Sequence, residues 1–191
     1  NHAMALEKTT AKYPIKRVVV KNYTLPYAAS KQTITGINTG VLPNRVVVGF
    51  LRTGDYDGTI ASNPFNFRNY NISKLTLKVS SRALPYSSGL NFDFDQNQYL
   101  QGYNTLYQGL KEAGNDITYG DYKWGYTLFV FDLSPDLCSG EHFNLVKDGC
   151  LDLDIEFKAA HNESITALFY LEFDNIIEIT KHRNILFDYQ V

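Results

Sequence analysis

The chain has 191 residues, 44% of them hydrophobic and 20% charged, with a net charge of −2. One globular domain of this size buries roughly 70% of its unfolded surface and needs no staples, and the near-neutral charge excludes a global attraction to nucleic acid or anionic membrane. Aromatic residues make up 14%, with 14 Tyr and 12 Phe against one Met and one Trp, a balance that suits half-buried pleated surfaces.

Asn1 to Met4 reads as a tag remnant, and residues 1–12 as a lead-in to a single domain over 13–191. Tyr13 to Leu25 is a first strand bracketed by Pro14 and Pro26. Gln32 to Ile37 is a short second one. The continuous apolar run Val46-Val47-Val48-Gly49-Phe50-Leu51 predicts a strand buried on both faces. Thr53 to Asn71 is a long turn-rich loop, a length that usually carries function or contacts. Ile72 to Arg82 alternates Leu75, Leu77 and Val79 with Lys74, Thr76 and Lys78, predicting a strand with a basic outer side.

Residues 96–113 break this pattern. Tyr99, Leu100, Tyr103, Leu106, Tyr107 and Leu110 form one helical stripe, expected to pack on the core. Asp95 and Gln98 resemble a capping box, and Gly114 a stop. Gly125 to Leu133 is an apolar strand, followed by a loop over 137–148. Gly149 to Phe157 alternates Leu151, Leu153, Ile155 and Phe157 with Asp152, Asp154 and Glu156, so one face is dry and the other wet. Ser164 to Phe173 is another strand, with a bulge or bend expected at Asp174-Asn175 before Ile176 to Ile179. Arg183 to Tyr189 is a last short piece. Roughly seven to nine strands with turns between them predict a mostly-β chain: a single antiparallel jelly-roll or β-sandwich with one amphipathic helix, about 96–113, inserted between strands.

The chemistry-bearing residues do not converge. Asp93-Phe-Asp95 hints at a calcium loop, but Gln98 and Asn104 stand where the EF-hand needs Gly and Glu. Cys138, His142 and Cys150 lack the paired spacing of a zinc site. The two cysteines are read as free thiols, and His161 and His182 as solvated loop histidines. Three sequons (Asn22, Asn71, Asn162) matter only on a secretory route. Asp152, Asp154 and Glu156 lie about 7 Å apart in successive pairs, a spacing that inverting glycoside hydrolysis also uses. Acids on a solvent-facing strand are the commoner explanation, either discouraging wrong edge pairing or meeting Lys74 and Lys78 across a subunit interface. No nucleophile elbow, P-loop or dinucleotide fingerprint occurs. The expectation is a protein that is not an enzyme, with no cofactor and no metal.

Several stretches taken in order are more specific: Ala11 to Ile15 (AKYPI), Pro43 to Gly49 (PNRVVVG), Asn63 to Phe67 (NPFNF), Phe131 to Asp136 (FDLSPD), and Glu172 to Asn175 with Glu178-Ile179, Arg183-Asn184 and Asp188-Tyr189. Over nearly all of residues 11–189 the chain resembles the C-terminal part of an uncharacterised protein family of animal genomes associated with Maverick/Polinton elements, which is similar to double-jelly-roll viral major capsid proteins. The resemblance implies a structural capsid domain in a virion. It would be the C-terminal jelly roll, partnered by a missing N-terminal one, with self-association as a homotrimer in the full-length protein and no direct nucleic-acid binding or membrane span. The segments expected to face neighbours are Asn63, Phe65 and Phe67, Asp136 and His142 in the 134–148 loop, and the acidic side Asp152, Asp154 and Glu156. The alternative is a receptor- or carbohydrate-binding β-sandwich.

Overall fold

In the computed structural model, residues 2–110, 116–134 and 145–187 are described. A short helix α1 (His2–Lys8) leads into β1 (Ala11–Leu25), β2 (Lys31–Val41), β3 (Arg45–Arg52) and a single turn α2 (Thr53–Tyr56). Then come β4 (Ile72–Val79), β5 (Arg82–Leu84), β6 (Leu90–Asn91), the helices α3 (Leu100–Gly109) and α4 (Tyr119–Lys123), and β7 (Leu128–Asp132), β8 (Asp148–Phe157), β9 (Ile165–Ile179) and β10 (Ile185–Phe187).

Two five-stranded sheets form the sandwich. The first is ordered β1-β9-β3-β7, with β10 also on β9. The second is ordered β2-β8-β4-β5, with β6 also on β4. The first four strands alternate between the sheets, and β1 lies beside the late strand β9, antiparallel over 15 residues from Ala11↔Ile179 to Leu25↔Ile165. That is jelly-roll wiring. Period-two patterning puts Val46, Val48, Phe129, Phe131, Phe169 and Leu171 of one sheet against Leu75, Leu77, Leu151, Leu153 and Ile155 of the other, all buried. The strand β3, flanked by β9 and β7, is buried along most of its length on both faces, as its unbroken apolar run predicts.

Several expectations shift at boundaries. The first strand begins at Ala11, inside the lead-in. The strand read as Ile72 to Arg82 reverses instead at Ser80-Ser81, both at positive φ, in a two-residue hairpin pairing Val79 with Arg82. Serine is not the Asn-Gly pair that announces such a turn. No bulge interrupts β1–β9 pairing at Asp174-Asn175, because Lys16 and Ile15 stay opposite them in register. Irregularities lie instead in β2, where residues 35–37 bow out between Ile34 and Asn38, and at the start of β4 between Ile72 and Lys74.

The helix expected over 96–113 is present within narrower limits, Leu100–Gly109. Its N-cap is Tyr99, with no side-chain cap. Asp93 and Gln98 pair as a two-residue bridge instead, and Asp93 Oδ1 accepts from Gln96 N at 3.1 Å. Lys158 Nζ holds Asp95 at 2.8 Å and Asp93 at 3.1 Å, so both acids are spent on the turn before the helix. Gly114 lies outside the described residues. The stripe on α3 also divides. Tyr99 and Leu106 are buried, whereas Leu100 and Tyr107 are exposed. At about 100° per residue, those two sit roughly 100–120° around from Leu106. The helix packs closely because Gly102 faces Tyr122, Phe92 and Phe129, and Gly109 faces Val130.

Candidate assembly surface

The loop after β3 and the turn before β7 are bound together. Phe67 N donates to Gly125 O at 3.0 Å, Thr127 N to Phe67 O at 3.1 Å, and Asn69 Nδ2 to Lys123 O at 3.0 Å. Within this frame Asn63 accepts Phe65 N on its Oδ1 at 2.9 Å, an Asx turn that the Asn-Pro dipeptide favours. Phe67 tucks in against Gly49, where an added Cβ would lie 2.6 Å from its ring, so glycine there is required by the close approach. Phe65 points outward at 73% exposure. Beside the paired turn stand Trp124, 74% exposed under a cation–π contact of 5.3 Å from Lys123, and the exposed Tyr126.

Of the three residues predicted here, Asn63 shapes the turn, Phe67 anchors it and Phe65 is offered to solvent. Trp124 and Tyr126 are exposed aromatic residues that the strand and helix periodicities do not single out. Their signal in the sequence is the only Trp of the chain, set in a polar turn (Lys-Trp-Gly-Tyr). Exposed Trp, Tyr and Phe on a rigid loop pair are the residue types that carry protein contacts. Asp136 and His142 lie outside the described residues, as does Cys138.

The acidic side of β8 has internal partners. Lys78 Nζ reaches Asp154 at 2.5 Å and Thr33 Oγ1 donates to it at 2.8 Å. Lys31 Nζ reaches Glu156 at 2.7 Å, and Gly36 N donates to Asp152 Oδ1 at 2.9 Å, closing the bow in β2. Burial of Asp154 opposes its ionisation, but the hydrogen bonds from Lys78 and Thr33 outweigh it and hold the carboxyl below its ordinary range. The Lys31 hydrogen bond lowers Glu156 likewise. The basic side of β4 therefore meets the acidic side of β8 within one chain, because the two strands are hydrogen-bonded neighbours. The Cys150 thiol is free, and desolvation and Asp152 push it up, away from thiolate reactivity. His161 is buried rather than solvated. Its Nδ1 lies 2.6 Å from Glu163 O, and its ring meets Phe157 edge-on at 5.0 Å. Among the described residues no group of three His, Cys, Asp or Glu is placed to hold a metal ion, and no helix is long and apolar enough to cross a membrane.

The fold defined by these two sheets is shared with virus capsid chains. The chain superposes on a chain of the PBCV-1 virus capsid with a TM-score of 0.60 at 10% identity, covering 96% of this chain and 52% of that one. On a chain of the Sputnik virophage the TM-score is 0.58 at 11% identity, covering 94% and 39%. In sequence it is 25% identical over 193 aligned positions to an uncharacterised protein of Caenorhabditis elegans, F54H12.2, covering 97% of this chain and 46% of that protein. No protein-family profile matches. The chain thus spans about half the length or less of each of these three proteins.

Proposed function

We propose that the chain is a structural, capsid-type jelly roll whose work is assembly rather than catalysis. The observation that carries this is the agreement of nearly the whole chain with virus capsid chains in a two-sheet arrangement. The aromatic loop pair supplies a contact surface of the right chemistry, with Phe65, Trp124 and Tyr126 facing a neighbour and Asn63 and Phe67 fixing their direction. In this reading the longer parent polypeptide carries a second β-sandwich unit, associates as a homotrimer and is found in a virion or virus-like particle. Asp152, Asp154 and Glu156 then act first as sheet-stabilising partners of lysines and only at their exposed edges as contact groups. The test is expression of the parent protein followed by negative-stain imaging and light scattering. Regular capsomers or shells are expected, and a uniformly monomeric parent overturns the proposal.

A second reading has its own observation. A cleft of about 490 Å³ opens between α3, β5 and β7, lined by Gln101, Asn104, Gln108, Arg82 and Tyr86. Amides beside an aromatic ring suit a polyhydroxylated ligand such as a glycan. A glycan array probed with the chain distinguishes this reading: binding that Gln101→Ala and Tyr86→Ala abolish supports it, and a blank array rejects it.

A further inference from the structure

The cleft between α3, β5 and β7 has walls of different chemistry. From one side α3 contributes Gln101, Asn104 and Gln108, spaced three and four residues apart and therefore on one helical face. The row from Gln101 to Gln108 runs along about 10 Å of helix, longer than a single sugar ring. From the other side the β4–β5 hairpin contributes Arg82, and the chain beyond β5 contributes Tyr86, 54% exposed. Lys147, just ahead of β8, completes the set, placed there by the hydrogen bond from Leu42 N to its carbonyl at 2.7 Å.

The polar groups of this cleft are unequally satisfied. Its described lining holds three charged residues, Asp132, Arg82 and Lys147. Asp132 is engaged by Ser134, which donates to it from both its backbone N and its hydroxyl. Arg82 and Lys147 hold no carboxylate and make no hydrogen bond among the described residues. Lysines on the strand faces are treated differently: Lys12, Lys16, Lys31 and Lys78 each hold a carboxylate at 2.9 Å or closer. The amides are also largely unspent. Gln101 Oε1 accepts Asn91 N at 2.9 Å, which leaves its Nε2 to donate, and Asn104 and Gln108 have no partner among the described residues. Two free cations beside one engaged carboxylate call for a ligand that brings negative charge.

We infer that the cleft takes an acidic glycan, a sugar that carries a carboxylate or a sulfate. Arg82 and Lys147 hold the acidic group, the α3 amides meet the hydroxyls, and Tyr86 packs on a ring face. This inference rests on the glycan reading above and names the class of sugar. The planar guanidinium of Arg82 matches a two-oxygen anion with paired donors, while Lys147 adds a point charge. A sugar hydroxyl both donates and accepts, as does an amide, so a row of three amides matches a polyol along its length.

Calorimetric titration of the chain with sialyllactose, a heparin-derived tetrasaccharide and neutral lactose tests this. One of the two acidic sugars should bind about tenfold or more tightly than lactose, and which one does so separates carboxylate from sulfate. Arg82→Gln and Lys147→Gln should each weaken that binding by about tenfold. Neither should move the melting temperature, because neither side chain has a partner to lose. Failure of both acidic sugars to bind, lactose binding as tightly as they do, or acidic-sugar binding that neither Gln variant reduces overturns the inference. Neutral sugars found on the glycan array then leave the glycan reading standing, and a blank array rejects both. Tighter binding of a poly-glutamate peptide than of either acidic sugar also overturns the inference and assigns the two cations to a protein partner.

Discussion

The two halves of β9 have the same backbone situation and unequal burial. From Ile165 to Glu172 the strand runs between β1 and β3; from Ile177 to Ile179 it runs between β1 and β10. Both stretches carry large apolar side chains on the inward face. Phe169 and Leu171 are fully buried because the second sheet lies over them, whereas Ile177 and Ile179 are only partly buried, alongside the exposed Tyr13 and Ile185. Strand pairing satisfies the backbone in both places, and only a second layer removes side chains from water. Complete burial of such a side chain is worth about 1.5–3 kcal/mol, so the first half contributes more to the fold than the partly buried second half.

The sharpest way to break that contrast is Phe169→Ala. The ring packs edge-on to Tyr23 at 5.5 Å and is fully buried. Its loss should cost about 3–5 kcal/mol, read as a large fall in the denaturant midpoint. A cost below about 1 kcal/mol would mean that the two halves of β9 are equivalent after all.

The cover over the β7 edge allows a second, smaller test. Gly102 of α3 faces the Tyr122 hydroxyl, where an added Cβ would lie 2.7 Å away, with Phe92 and Phe129 rings at 3.1 and 3.2 Å. Tyr122 is fixed by its own hydrogen bond to Leu128 O at 3.1 Å and cannot easily retreat. Gly102→Ala should therefore destabilise by about 1–3 kcal/mol, although alanine is the better helix former. A neutral or stabilising outcome in chemical denaturation would show that α3 rides loosely on the sheet.

The dry faces are legible in the sequence because burial on one side of a strand imposes period two. The spacing of Leu151, Leu153, Ile155 and Phe157 is enough to place them in the core, and the unbroken apolar run does the same for the doubly buried Val46 to Leu51. What local pattern does not carry is where each face loses its cover. Ile176 to Ile179 reads as more core strand, and Leu100 and Tyr107 read as part of one inward stripe. Local pattern records that a side chain is apolar, while burial depends on a layer contributed by distant parts of the chain. Turn chemistry failed at Ser80-Ser81 for a related reason: the hairpin is imposed by the pairing of β4 with β5, against weak local preference. Of the exposed aromatics, Phe65 is legible through the Asn-Pro turn beside it, whereas Trp124 becomes a neighbour of that turn through the hydrogen bonds of Phe67 and Asn69.

The outer face of the second sheet tests electrostatics on a covered strand. Asp154→Asn removes the carboxylate that Lys78 and Thr33 hold. The pair is partly exposed, so the cost should be about 0–1 kcal/mol at neutral pH. The folded pKa values of Asp154 and Glu156 are depressed, so their contribution is present above the ordinary carboxylate range near pH 4 and lost as pH falls through the folded values. Wild-type melting temperature should drop below about pH 4, and Asp154→Asn should flatten part of that drop. An identical acid slope in both proteins would remove Asp154 from the account.

The smallest effect on stability belongs to the edge strand β10 beside the less buried half of β9, and its smallness is what distinguishes it. Ile185, 56% exposed, pairs with Ile179 only through the edge strand β10. Ile185→Ser should change unfolding free energy by no more than about 0.5 kcal/mol, because little apolar area leaves or enters water in the isolated chain. In the longer parent, where the assembly reading supplies a second layer, the same substitution should cost severalfold more. Comparing the two melting shifts therefore measures cover directly: equal small shifts would mean the ledge stays wet in the parent, and a shift confined to the parent would place Ile177, Ile179 and Ile185 against a neighbouring unit.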